Sequence, residues 1–204
     1  RQLAGRADLT ATGTIAAASG GIDLKLDGTT TDLALGIDAA DTLLAGETTL
    51  AGRLVRNETG ITFDELRLAN RRFETTLDGR FSSESATFQA RALLRDIASI
   101  SQAGRGEVEL TASVNGAQPP FVVEAQLAMP RGNLQGRAVE NLALTFGGTA
   151  GGDAVKGELD AAGTLASQPV TLDGLIGATF GGNSSDGGTI RVEGRYGFQQ
   201  NARA

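Results

Sequence analysis

The chain has no cysteine, no histidine and no tryptophan. Without cysteine there are no disulfide staples and no thiolate nucleophile, a composition that suits an extracytoplasmic protein avoiding mispaired thiols. Without histidine the usual general base near neutral pH and the commonest zinc ligand are both gone. Lysine is nearly missing too, with only Lys25 and Lys156, so positive charge rests on arginines that do not deprotonate usefully. Any enzyme here would have to run on carboxylates alone, as glycosidases do. The expectation is a protein that is not an enzyme, with no cofactor and no metal site. Aromatics make up 4% of the chain and Tyr196 is the one tyrosine, which disfavours a membrane barrel with aromatic girdles. No apolar run approaches the roughly 18–20 residues of a membrane-spanning helix, so neither a spanning helix nor a signal peptide is expected within this segment. A net charge of −6 argues against nucleic-acid phosphate as a partner.

What the chain has is glycine, 29 of 204 residues, about twice the average of ~7%, and strict alternation. Val155–Gly177 shows it best. Val155, Leu159 and Leu165 share odd parity, and after Ser167-Gln168-Pro169 the pattern resumes at Val170, Leu172 and Ile176. Two such runs joined by a few turn residues read as a hairpin with one apolar and one polar face. Pro169 fits as the first residue of the return strand.

The unit repeats along the chain, giving roughly fourteen strands with short, hairpin-like loops. Leu9–Ile15 and Ile22–Leu26 form the first pair. A turn is expected at Gly28-Thr29-Thr30, with strand resuming at Leu33, Leu35 and Ile37 towards Gly46. In Gly60–Gly79 parity switches from Ile61 and Phe63 to Leu66 and Leu68. A β-bulge at Asp64-Glu65 would keep both pairs on one face. Asp96–Ser101 is the one short helical candidate, with Asp96 as N-cap. Loops are expected at Pro130–Gly136 and Gly147–Gly152, and the last strand at Ile190–Tyr196. An antiparallel sheet of this size has an apolar face and no helices to cover it. It must fold on itself, close, or offer that face to something greasy.

Several local motifs have plain readings. The run GGNSSDGG at Gly181–Gly188 is one irregular copy of a calcium-type glycine repeat, and a flexible turn accounts for it. Asp64-Glu65 and Glu158/Asp160 read as solvated strand faces. Arg71-Arg72 reads as a charged hairpin turn.

The stretches GELDAAGTLASQPVTLDG (Gly157–Gly174), GITFDELRL (Gly60–Leu68), DIASIS before RGEVELTASVNG, and QGRAVENLALTFGG (Gln135–Gly148) resemble the TamB proteins. These belong to the AsmA-like group of large Gram-negative envelope proteins, and the resemblance covers nearly all of Leu3–Tyr196. It implies an all-β fold with almost no helix: a long, mostly antiparallel U-shaped sheet, the β-taco, with a concave hydrophobic groove. The chain, 1–204, would be one continuous repetitive segment of a larger periplasm-spanning protein. That larger protein would be anchored in the inner membrane outside this segment. An opening at Arg1 rather than at a methionine fits that expectation.

The resemblance further implies carriage of phospholipid acyl chains between inner and outer membrane. The lining would be Leu24, Leu26, Leu35, Ile37, Leu50, Phe63, Leu77, Phe88, Leu110, Phe121, Val123, Leu144, Phe146, Leu159, Leu165, Val170, Leu172, Ile190 and Val192. An alternative role is a scaffold for outer-membrane protein or autotransporter assembly, with an outer-membrane Omp85-type (TamA-like) partner engaged through the parent chain. A secreted β-solenoid adhesin shares the composition, but solenoid rungs keep a steady period that these glycine spacings do not.

One consequence follows from composition alone. No unperturbed side chain of this chain titrates between pH 6 and 8. Lipid binding measured across that window should be nearly flat. A steep change would require a strongly shifted carboxylate or lysine and would reopen the enzymatic reading.

Overall fold

Alternation of period two can bury one side only in an extended chain, and extended chain is what forms. The computed structural model describes residues 4–16, 20–34, 36, 38–82, 84–151, 154–179 and 189–198. Within them lie β1 (Ala4–Ala16), β2 (Gly21–Ala34), β3 (Glu47–Asn57), β4 (Gly60–Ala69), β5 (Phe73–Phe81) and β6 (Ala86–Leu94). There follow β7 (Gly104–Gly106), β8 (Val108–Gly116), β9 (Phe121–Leu134), β10 (Arg137–Gly151), β11 (Ala154–Leu165), β12 (Gln168–Thr179) and β13 (Thr189–Phe198). Twelve of them run side by side in chain order, and short β7 adds to β9 beyond the end of β8. At ~4.8 Å per strand that ribbon is roughly 50 Å wide. Every pairing is antiparallel, unlike the parallel rungs of a solenoid. The sheet is one long antiparallel layer with almost no helix, open and uncurled, and its first and last strands do not pair with each other.

Several turns fall elsewhere than expected. No turn forms at Gly28-Thr29-Thr30, because β2 runs straight through it, paired to β1 and β3. The glycine there serves close approach: a Cβ on Gly28 would lie 2.2 Å from the Asp8 carbonyl oxygen. The expected strand towards Gly46 is instead the helix α1 (Asp38–Leu44). The sequence DAADTLL alternates poorly and is rich in helix-forming alanine and leucine. The loop expected at Pro130–Gly136 shrinks to a turn at Gln135 and Gly136. Pro130 lies within β9 between Ala128, where pairing to β8 stops, and Gly132, where pairing to β7 starts. A missing N–H is tolerated in such a gap. Strand β10 likewise continues through the glycines to Gly151. The helical candidate at Asp96 is a single 3-10 turn, Ile97–Ser99.

The parity switch in β4 is a bulge. On the β5 side the register steps from Phe63↔Gly79 to Leu66↔Leu77, so Asp64 and Glu65 together face Asp78. Glu65 takes φ 46°, and its N–H donates to Asp78 Oδ1 at 2.7 Å. Phe63 and Leu66 therefore stay on one face. Across the strand the bulge is accommodated by Gly52, whose φ is +151° and whose Cβ, if it had one, would stand 2.7 Å from Leu66 Cα.

Hydrophobic burial is slight. Among the described residues the buried hydrophobics are Leu44, Ala86, Val108, Met129 and Val139. Val108, Met129 and Val139 form one cluster, edged by Leu94, Ile97, Leu127, Leu134, Leu142 and Leu165. The chain exposes 13927 Å², against about 9,000 Å² for a globular monomer of this mass. The backbone ladder, not a core, is the main adhesive.

Deleting Glu65 should therefore throw either Ile61 and Phe63 or Leu66 and Leu68 to the wrong face, and soluble folded protein should be lost. Gly52→Val should lower stability by about 2 kcal/mol or more, through strain at its φ and overlap with β4. Thermal melting checks both, and wild-type melting of the deletion would mean that the bulge is a dispensable loop.

Candidate functional site

Cross-strand register decides which side chains share a face, because partners directly opposite point the same way. Starting at β1, Leu9, Ala11, Gly13 and Ile15 stand opposite Gly28, Leu26, Leu24 and Ile22. These in turn face Leu50, Gly52, Leu54 and Arg56 on β3. The same side continues through Ile61, Phe63, Leu66 and Leu68 to Leu77 and Phe81, then Phe88 and Leu94. From β8 it carries on through Leu110 and Val114, Leu127 and Val123, Leu144 and Phe146, Leu159 and Ala161, to Leu172 and Val170. One apolar face thus runs from β1 to β12.

All the expected lining residues whose side chains are described share this face. Leu24, Leu26, Leu50, Phe63, Leu77, Phe88, Leu110 and Phe121 lie across β2 to β9. Val123, Leu144, Phe146, Leu159, Leu165, Val170 and Leu172 complete it on β9 to β12. Ile190 and Val192 are in backbone register with Ala178 and Ile176. Leu35 and Ile37, like the glycine-rich run Gly181–Gly188, lie outside the described residues.

Local chemistry keeps the face smooth. Phe63, Phe81 and Phe88 form an aromatic patch, with ring centroids 6.2 and 6.4 Å from Phe88. On β10 and β11, Gly148 and Gly157 are paired beneath the Phe146 ring, where a Cβ on Gly157 would come within 2.7 Å of it. The paired glycines make room for the ring to lie against the backbone. The Thr/Ala/Gly content that thins this face in the sequence is thus what lets its larger side chains lie down.

Among the described residues, cover lies at one end of the strands. There the strands are joined by the long connections β2–β3 and β6–β8. Over the first, Leu44 of α1 is buried together with Thr30 and Thr48 of the apolar face. Asn70 Nδ2 ties the connection down by donating to the Leu43 carbonyl at 2.8 Å and to Thr48 Oγ1 at 2.9 Å. The Arg72 guanidinium also donates to the Ala45 carbonyl. Over the second, Ile97 of the 3-10 turn packs against the Val108–Met129–Val139 cluster. Asp96 holds that turn by accepting from the N–H of Ala98 at 3.0 Å and of Gly106 at 2.9 Å, which keeps its carboxyl below the ordinary value. Towards the other end Ile15 and Phe81 are 68% and 46% exposed, and Leu9, midway along β1, is 53% exposed.

The opposite face is polar. Arg53 makes a bidentate pair with Asp23, at 2.7 and 2.6 Å, and lies 3.9 Å from Asp64; Arg67 pairs with Glu74 at 2.7 Å. The hydrogen bonds from Arg53 hold the Asp23 carboxyl below its usual value. Such exposed pairs contribute little to stability. A crevice of about 970 Å³ lies on this side around the bulge, lined by Lys25, Arg53, Asp64, Arg67, Glu74 and Asp78 among others. It is a shallow hollow whose arginines are already paired with carboxylates, so it offers a ligand little. Among the described residues no group of three or more carboxylates is placed to hold a metal ion. The candidate site is the apolar face.

The covering turn gives a test of its own. A carboxylate with a depressed folded pKa adds stability above its unfolded pKa, and loses it as pH falls through the folded value. Asp96→Ala should make residues 96–106 more sensitive to limited proteolysis at neutral pH. The difference from wild type should shrink as the solution is acidified below the ordinary carboxylate range. Equal cleavage at pH 7 would show that the turn is held by packing of Ile97 alone.

No family model matches the chain, and no curated protein or solved structure matches it.

Proposed function

We propose that the chain is a periplasmic segment whose exposed apolar sheet face carries phospholipid acyl chains between inner and outer membrane. In this reading it is part of a TamB-like parent protein anchored in the inner membrane. The observation that carries the proposal is the continuous apolar face, in register from β1 to β12 and, among the described residues, covered by protein at one end. An exposed apolar surface of this extent is unusual in a soluble monomer and calls for an occupant. Acyl chains suit it, since they need no directional contacts and gain roughly 25 cal/mol per Å² of apolar area removed from water. The mechanism is passive: tails lie on the face, headgroups stay wet, and the backbone ladder holds the surface in place.

A second reading rests on the open ends of the sheet. Strand β1 has one unpaired edge among the described residues, and such an edge can template an incoming strand by β-augmentation. That would suit a scaffold for outer-membrane barrel assembly with an Omp85-type partner. The apolar face runs from β1 to β12 rather than concentrating at the edges, which favours lipid.

A photo-crosslinking residue placed at Leu172 or Phe121, with the chain mixed with phospholipid vesicles, should capture lipid detectable by mass spectrometry. One at Thr171 or Val122 should not. Val122 is the sharper control, being apolar and 50% exposed but on the polar face. Leu172→Arg should abolish capture at Phe121 or reduce it several-fold while leaving circular dichroism unchanged. A sealed core would behave differently: no probe would find lipid and the arginine would unfold the chain.

A further inference from the structure

Among the described residues, the uncovered part of the apolar face carries one charge. Arg56 stands on β3 opposite Ile22 on one side and Ile61 on the other, one alternation beyond Leu54. The remaining charged residues of β2 to β5 near that end, such as Asp23, Arg53, Asp64 and Arg80, belong to the polar face by register. Arg56 is exposed, and among the described residues it has no hydrogen-bond or ion-pair partner. It lies next to the Asn57–Gly60 turn, at the end away from α1 and the 3-10 turn.

We propose that Arg56 is the headgroup anchor of the lipid site, binding the phosphodiester of a glycerophospholipid whose acyl chains run along the strands towards the covered end. The proposal rests on the lipid reading above and adds an orientation to it. A guanidinium on an aliphatic stem can lie along apolar surface and keep its charged end wet. Its planar fork matches phosphate oxygens two at a time.

Length supports the orientation. From Leu54 to Thr48, where the cover begins, six residues of strand span about 20 Å, and one leaflet's acyl layer is about 15 Å deep, half of the ~30 Å hydrocarbon core. A diacyl lipid with its phosphate at Arg56 therefore fits along the strand, its tails ending about 5 Å short of the cover formed by Leu44, Thr30 and Thr48. The opposite orientation would place the headgroup against that cover and leave Arg56 over hydrocarbon without a counter-charge. Neutral hydrocarbon would give Arg56 nothing to bind, and a second copy of the face would set two arginines against apolar surface.

The test uses the purified chain with two probes of matched acyl chains, phosphatidylglycerol vesicles and a diacylglycerol dispersion, with retained lipid counted by native mass spectrometry. Wild type should retain phosphatidylglycerol about tenfold over diacylglycerol, the scale of one charge-assisted phosphate contact. Arg56→Glu should lose that preference and leave diacylglycerol retention unchanged. Arg80→Glu, the same charge change at the same end of the sheet but two strands away on β5 and on the polar face, should keep the preference. If Arg56→Glu loses its folded circular dichroism signal, Arg56→Gln replaces it with the same expectation. An unchanged preference in a folded Arg56 variant overturns the headgroup assignment while leaving lipid carriage standing. Retention of neither probe by wild type overturns the lipid reading, and the anchor with it.

Discussion

The antiparallel backbone ladder is the interaction on which everything else in this protein depends. In a globular domain strand pairing and core packing share the work of holding the fold. Here buried side chains are few, and the sheet has no second layer. Each strand is held by its two neighbours through hydrogen bonds that water also offers, so the net gain per bond is small and must be repeated many times. Small side chains and frequent glycine follow from that. They let strands approach closely and keep large side chains low on the surface.

A fold held by register is sensitive to single-residue changes, because one slip exchanges the two faces. The bulge at Asp64-Glu65 and the irregularity at Asn141 show how the chain manages this. At Asn141, φ is 51° and the β10–β11 register steps between Glu140 and Ala143. Each adds a residue on one strand, and each leaves the apolar residues on either side facing the same way. The left-handed conformations at Glu65 and Asn141 are the local cost of face continuity.

Asymmetry along the strands is the second organising feature. The two long connections both lie at one end of the strands, and both bury apolar-face residues there. At the other end the described connections β3–β4 and β8–β9 are short turns. A surface covered at one end and open at the other has a direction, which an amphiphile can match and a uniform hydrocarbon cannot. The charged pairs on the opposite face keep that side wet without building a site. Asp23, Arg53 and Asp64 are exposed and mutually satisfied.

Alternation alone determined a great deal. It marked the strands, their facing and the antiparallel sheet class. It located the bulge, because Phe63 and Leu66 could not otherwise share a side. It named Asp96 as the cap of the one short turn, since an aspartate before Ile97 and Ile100 has few other uses. What it missed was long-range. Gly28 looked like a turn because glycine marks turns and close approaches alike, and only the neighbouring strand β1 shows that it serves approach. Asp38–Leu44 was taken for strand continuation because seven residues are too few for a helical period to stand out from alternation. The single charge on the apolar face also emerged only from register. Arg56 follows Leu54 in parity, but whether its strand neighbours were apolar depended on which residues of β2 and β4 lie opposite it. The sequence determines which residues of a strand share a side; only tertiary pairing decides what those residues meet, because hydrogen-bond register joins segments that no local pattern connects.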